Sequence, residues 1–316
     1  MSSRKLESPS FQARVARNVH IYNHKGQVLG GLYQNGSITK LNFYEICRAF
    51  LAVTPDSVSW EIFFLNADGS TGRKLNRAGS RLSSGQYIVL STTGSPIDVT
   101  TNGTPYPRRV TTHARSSRLT PKRRSFRDRV RARDGYCMIS GIPNALAALD
   151  NFTGFQAAHI YPHAREAEWI TRNYQSWITD TAPASQIGSS GIHSCQNGIL
   201  LNASLHTLFD TYAVAVNPDG GYKVISFVPD SFAVDGRILE PRCRDLDDPN
   251  RISDDALRWH FQQAILAHVR GTGQRYWETD FPDGDMIGEI IGGPDAAERM
   301  EVELFTRLGC GDDAYG

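Results

Sequence analysis

Between residues 17 and 95 the chain alternates short runs of β-branched and aromatic residues with clusters of Gly, Asn, Asp and Ser. The runs NVHIYN, GQVLGGLYQNG, SWEIFFLN and GQYIVLS each read as a strand closed by turn residues. Between the second and third of them the period changes. In LNFYEICRAFLAV, Phe43, Ile46, Cys47, Phe50 and Leu51 recur at helical spacing and mark one apolar face. Strand, strand, helix, strand, strand predicts an α+β domain over residues 17–95 with a β-grasp-like order of elements. Residues 1–16 read as a disordered N-terminus.

The apolar period then lapses. Residues 96–121 are rich in Ser, Thr, Pro and Arg and read as a basic linker. PKRRSFRDRVRARDG opens a helix, with Phe126 and Val130 four apart on its inner face and Gly135 to stop it. Two short apolar strands follow, GFQAAHI and GILL, and after the second Asn202 can cap a helix over ASLHTLFD. YAVAV and GYKVISF around Pro-Asp-Gly-Gly predict a hairpin. Further on, Ser253 with Asp254 and Asp255 starts a helix that runs to about Val269, with Leu257, Phe261, Ala264 and Ile265 as its stripe. Residues 122–316 therefore form a second domain, with a strand-strand-helix core at about 137–228 and an acidic, helical C-terminal extension.

Composition narrows the class. The 316 residues are 40% hydrophobic and 21% charged, as in a globular protein, and no stretch is long and apolar enough for a membrane span or secretory signal. An intracellular protein, nuclear or cytoplasmic, is the expectation, and the odd number of scattered cysteines suits reduced thiols. The net charge of +1 hides a strong polarity. Eleven Lys or Arg and two acids fall between Arg108 and Asp134, whereas residues 245–316 carry sixteen acids and six bases. A local anionic partner for the middle of the chain follows, unless the run is a solvated linker or a nuclear localisation signal. Nothing in the sequence indicates the oligomeric state.

Candidate chemistry collects around His159. A histidine closing a strand is more often a packing residue, so its partners decide. His206 and Asp210 stand at i and i+4 on one helical face, with room for a cation between them. Asp210 can alternatively cap a turn before the hairpin. Asn197, nine residues before His206, sits on the loop entering the second strand, from which its carbonyl can reach an imidazole on the neighbouring strand.

AAHIYP followed by NGILLNASLHTLFD resembles the ββα-metal fold of HNH nucleases, through His159, Asn197 and His206. The later RWHFQQAILAHVRGTG and DFPDGDMIGEIIGGPDAAERMEVELFTRL resemble the C-terminal extension of fungal HNH proteins. The resemblance implies His159 as general base, Asn197 as the residue orienting its ring, and His206 as a metal ligand. It further implies a divalent metal, Mg²⁺ or else Mn²⁺, hydrolysis of phosphodiester bonds, and DNA before RNA as substrate. Arg123, Arg124, Arg127, Arg131 and Arg165 are the candidate phosphate contacts, and no base-reading motif accompanies them.

Two positions depart from the family pattern. Ala158 stands where many HNH enzymes have a metal-binding Asp or His, which leaves the cation to His206, Asp210, phosphate and water. Cys137 begins CMIS rather than a two-cysteine pair, so a structural zinc is not expected. The alternative reading is a catalytically inactive nucleic-acid-binding or signalling adaptor on the same fold. In either case the N-terminal domain is free to dock a protein partner.

Overall fold

The computed structural model describes residues 6–7, 17–103 and 120–271. Most of the expected disordered N-terminus, most of the basic linker and the acidic C-terminal extension beyond residue 271 lie outside the described residues. In chain order the elements are β1 (Val19–Tyr22), β2 (Val28–Leu32), α1 (Lys40–Phe50), β3 (Leu51–Thr54), β4 (Trp60–Leu65), β5 (Thr71–Lys74), β6 (Gly85–Ser91) and β7 (Asp98–Thr101). There follow α2 (Pro121–Asp134), β8 (Phe155–His159), α3 (Glu166–Thr171), α4 (Ala184–Ile187), β9 (Gly198–Asn202), α5 (Ala203–Asp210), β10 (Val214–Asn217), β11 (Lys223–Ser226) and α6 (Asp254–His268). The architecture is α+β, as the hydrophobic pattern predicts.

The chain divides into two compact units. One gathers the described residues of Met1–Pro107 with Tyr212–Leu239 and Leu257–Arg275; the other holds those of Arg108–Thr211 and Glu240–Ala256. In the first unit a five-stranded sheet runs in the order β2-β1-β6-β4-β5, with β1 parallel to β6 and the other neighbours antiparallel. Helix α1 starts with a capping box: the Thr39 hydroxyl accepts from the Asn42 N–H at 3.1 Å, and the Asn42 side-chain oxygen accepts from the Thr39 N–H at 3.4 Å. Phe43, Ile46, Cys47 and Phe50 are buried, as their spacing requires. The helix stops at Phe50, however. Leu51, placed by its spacing on the helical stripe, instead begins β3, which pairs with β7 inside the stretch read as linker. Val99 is the one buried residue of β7, too little for an apolar alternation to register.

The hairpin β10–β11 belongs to this first unit and not to the strand-strand-helix core to which its position in the sequence joins it. Its ties are to residues far away along the chain. The Asn35 side chain donates to the Ser226 and Val228 carbonyls at 3.0 and 2.9 Å, Ser37 donates to Asp235 at 2.8 Å, and Lys223 donates to Asn42 at 3.0 Å. Arg17 likewise donates to the backbone carbonyls of His268 and Gly271 at 2.6 and 2.7 Å. The segment after α6 lies along β2, where Gly30 is needed: a Cβ there would stand 2.5 Å from the Val269 carbonyl oxygen.

In the second unit β8 and β9 form an antiparallel ribbon in the register His159↔Gly198 to Phe155↔Asn202. Asn202 ends β9 and caps α5, its side chain accepting from the Leu205 N–H at 2.8 Å. Helix α2 begins at Pro121 behind the Thr120 cap and ends at Gly135, whose φ of 76° suits glycine. Its buried Phe126 and Val130 pack on Cys195 and Leu200.

Candidate active site

Strand alternation divides the residues of β8 between two faces. Phe155 and Ala157 pack against the Phe126 and Val130 side of α2, and His159 follows them, its ring stacked on Phe126 with centroids 3.7 Å apart and planes at 8°. Gln156 points the other way, to α5, where its side-chain oxygen lies 2.5 Å from His206 Nδ1. The fold thus gives this short strand two groups of neighbours, with His159 at its last position.

The first group is imidazole-rich. His159 Nε2 and His193 Nδ1 are 3.2 Å apart, and His163 stacks on His159 with centroids at 4.8 Å. His193, on the loop four residues before Asn197, was not among the expected site residues; a lone histidine in GIHSCQNG has no periodicity or motif to single it out. Burial holds its pKa below the ordinary histidine value, helped by Arg123 and Lys122 and opposed by Glu166. It is therefore neutral at pH 7.

Asn197 is fully buried, and its amide serves the backbone. Its side-chain oxygen accepts from the Tyr161 N–H at 2.8 Å, and its Nδ2 donates to the Tyr161 and Ile192 carbonyls, both at 3.0 Å. The sequence reading aims that oxygen at the imidazole. The chain turns away from β8 just past His159, and there the Asn197 amide holds the Tyr161 peptide and clamps the two loops that carry His163 and His193.

The second group is His206 and Asp210. With Nδ1 held by Gln156, His206 Nε2 faces Asp210 Oδ2 at 3.1 Å across one helical turn. That separation is close to the ~3.0 Å edge of an octahedron with bonds near 2.1 Å, so the spacing lets both atoms reach one cation. Gln156 accepting from Nδ1–H would leave the Nε2 lone pair for metal. Ala158 is buried and adds no donor, and among the described residues no group of three or more His, Cys, Asp or Glu is placed to hold a metal. Two donors would leave most positions of a divalent cation to water and phosphate oxygens.

The basic side chains of α2 divide by face. Arg129 is held by Asp180 at 2.7 Å, and Arg133 is buried in a bidentate pair with Asp134 at 2.6 and 2.9 Å. Lys122 and Arg124 are exposed, Arg123 and Arg127 half-buried, and Arg127 pairs with its neighbour Asp128. Arg131 lies over the Phe152 ring at 4.5 Å, and Arg165 bonds Glu168 at 2.9 Å. The first turn of α2 therefore presents positive charge beside His193, while its last turn serves packing.

Gly198 allows this approach. A Cβ on it would lie 2.5 Å from the Phe126 ring and 2.6 Å from Val130. Gly198→Ala is expected to lower stability by about 1–3 kcal/mol and to displace Phe126 from His159. Urea unfolding checks the first effect; an unchanged midpoint would show that α2 can move aside freely.

A ribbon of two antiparallel strands running into a helix, with histidines on the first strand and on the helix, is a ββα nuclease core in outline. The comparison with known families agrees: residues 137–217 match the family model of HNH endonucleases, so the chain carries an HNH endonuclease domain. Residues 16–95 match a domain family of unknown function. No curated protein and no solved structure matches the chain. Among the described residues no helix is long and apolar enough to cross a membrane.

Proposed function

We propose that the protein is a metal-dependent endonuclease that cuts DNA with little sequence specificity, using His159 as general base. The observation that carries this reading is the placement of His159 as the last residue of β8, among His163 and His193, within an HNH domain. A neutral imidazole accepts a proton from water near pH 7 when a second hydrogen bond sets its tautomer. Asn197 fixes the loops around it. Lys122, Arg123, Arg124 and Arg127 supply the charge that draws a phosphate backbone to the site, while Arg131 and Arg165 make weaker, already engaged contacts. His206 and Asp210 would hold the divalent metal, Mg²⁺ before Mn²⁺, which when bound stabilises negative charge on the phosphate and leaving oxygen. Contacts to phosphates without a base-reading element suit cleavage that ignores sequence.

For the first unit, the sheet order with a central parallel pair and one covering helix supports a β-grasp reading, and we assign it to partner recognition. A second reading keeps nucleic-acid binding without cleavage. Ala158 and the two-donor set favour it, since both weaken metal binding.

The test is cleavage of supercoiled plasmid and of single-stranded DNA and RNA by the purified full chain, with Mg²⁺, Mn²⁺ or EDTA. Metal-dependent nicking of plasmid that EDTA abolishes is the expected outcome. Binding without cleavage under every metal would overturn it in favour of the adaptor, and a preference for RNA would correct the substrate.

A further inference from the structure

A histidine that takes a proton from water must keep the lone pair on one chosen ring nitrogen, and something has to hold the proton on the other. Asn197 does not do so here, because all three of its side-chain hydrogen bonds go to the backbone of Tyr161 and Ile192. Nδ1 of His193 lies 3.2 Å from His159 Nε2, with the two rings edge to face at 74°.

We propose that His193 is a positioning residue that sets the tautomer of His159 by accepting a hydrogen bond from its Nε2–H. The inference rests on the endonuclease reading for its kinetic consequence only. Two tautomeric arrangements satisfy the pair. If His193 donates, neutral His159 carries its proton on Nδ1 and has no lone pair there for water. If His193 accepts, His159 carries its proton on Nε2 and keeps the Nδ1 lone pair. When Nδ1 then takes the proton from water, the imidazolium still donates Nε2–H to His193, and the hydrogen bond strengthens as charge develops.

The surroundings keep His193 able to accept; a neutral ring can also donate from Nδ1–H, and the tautomer spectra separate the two arrangements. His193 can accept at Nδ1 only while neutral, and it faces His159 on β8, His163 in the following turn, Glu166 on α3, and Lys122 and Arg123 on α2. The two cations oppose its protonation, Glu166 favours it, and burial decides for the neutral ring. The Glu166 carboxylate is itself held by the Ser190 hydroxyl at 2.6 Å. The His193 backbone N–H donates to the Ile187 carbonyl at 3.1 Å, so the loop presents the ring at a fixed height.

The experiment compares wild type, His193→Ala and His193→Gln, each checked for an unchanged melting temperature. Two-bond ¹⁵N correlation spectra of the metal-free full chain read the His159 tautomer directly. The Nε2–H form is expected in wild type, a mixture in His193→Ala, and the Nε2–H form again in His193→Gln, whose amide oxygen can accept. In plasmid cleavage, His193→Ala is expected to lose about 10- to 100-fold in kcat at little change in KM, with partial recovery in His193→Gln. The acid limb of the wild-type pH profile should be steeper than that of His193→Gln, because only wild type loses the acceptor by protonation. An identical His159 tautomer in wild type and His193→Ala would overturn the proposal, whichever DNA result accompanies it. If wild type cuts no nucleic acid the endonuclease reading fails, and the spectra still decide the hydrogen bond. Should His193→Ala not fold, the tautomer and kinetics of His193→Gln beside those of His193→Leu give the same comparison.

Discussion

Replacing His159 by alanine is expected to reduce the metal-dependent cleavage rate by about 10²- to 10⁴-fold, the usual contribution of a positioned general base. The loss should fall on kcat, since the cations of the first turn of α2, and not His159, draw the phosphate backbone on the proposed reading. DNA binding followed by fluorescence anisotropy should therefore change little. The ring also stacks on Phe126, so a melting curve must accompany the rate; a modest fall in stability with intact binding is compatible with the role. Cleavage at the wild-type rate would remove His159 from the chemistry, and a parallel loss of binding and cutting would make it a structural residue.

The second large effect concerns stability. Asp134→Ala is expected to destabilise the second unit by about 3–5 kcal/mol, because it strands a buried guanidinium. Arg133 donates from Nε and Nη2 to the two Asp134 oxygens, and its Nη1 and Nη2 also donate to the Cys195 and Gly198 carbonyls, both at 2.7 Å. Asp134 in turn accepts from the Leu200 N–H at 2.8 Å. One ion pair thus fastens α2 to both ends of the turn that holds Asn197. Urea unfolding of the variant measures the cost, and Arg133→Met with Asp134→Leu should restore much of it, since paired apolar replacements leave no orphaned charge. If the single variant unfolded within ~1 kcal/mol of wild type, water would have to reach the guanidinium.

Local rules explain most of what could be read from the chain. Helix α6 spans Asp254–His268 where its cap and apolar stripe place it, and α2 stops at Gly135. In each case the deciding contacts lie within a few residues. The HNH domain was legible from Asn197 and His206 for the same reason, as turn, β9 and α5 follow one another without interruption, while His159 joins them only across α3 and α4. The unit to which β10 and β11 belong was not legible. It depends on Asn35 meeting Ser226 and on Ser37 meeting Asp235, pairs that no periodicity links. Strand β7 has one buried side chain and depends on its partner β3 for its existence. At the site, the position of Asn197 in the turn before β9 was readable, but the direction of its amide depends on the path of the chain beyond His159. His193 entered by that same path, since the clamp on Ile192 sets where its neighbour stands.

The long-range ties of the first unit bear on how the polypeptide matures. Asn35 and Ser226 are 191 positions apart, and Arg17 reaches Gly271 across 254. At about 5–20 residues per second, a ribosome needs on the order of 10 to 50 seconds to make the intervening chain. The N-terminal sheet therefore waits, with one edge and its Asn35 corner unfinished, while the entire ribbon and α5 of the nuclease core are translated and can fold. Order of birth and order of completion are reversed in this polypeptide, and whatever guards nascent chains from sticking must shield the half that emerges first.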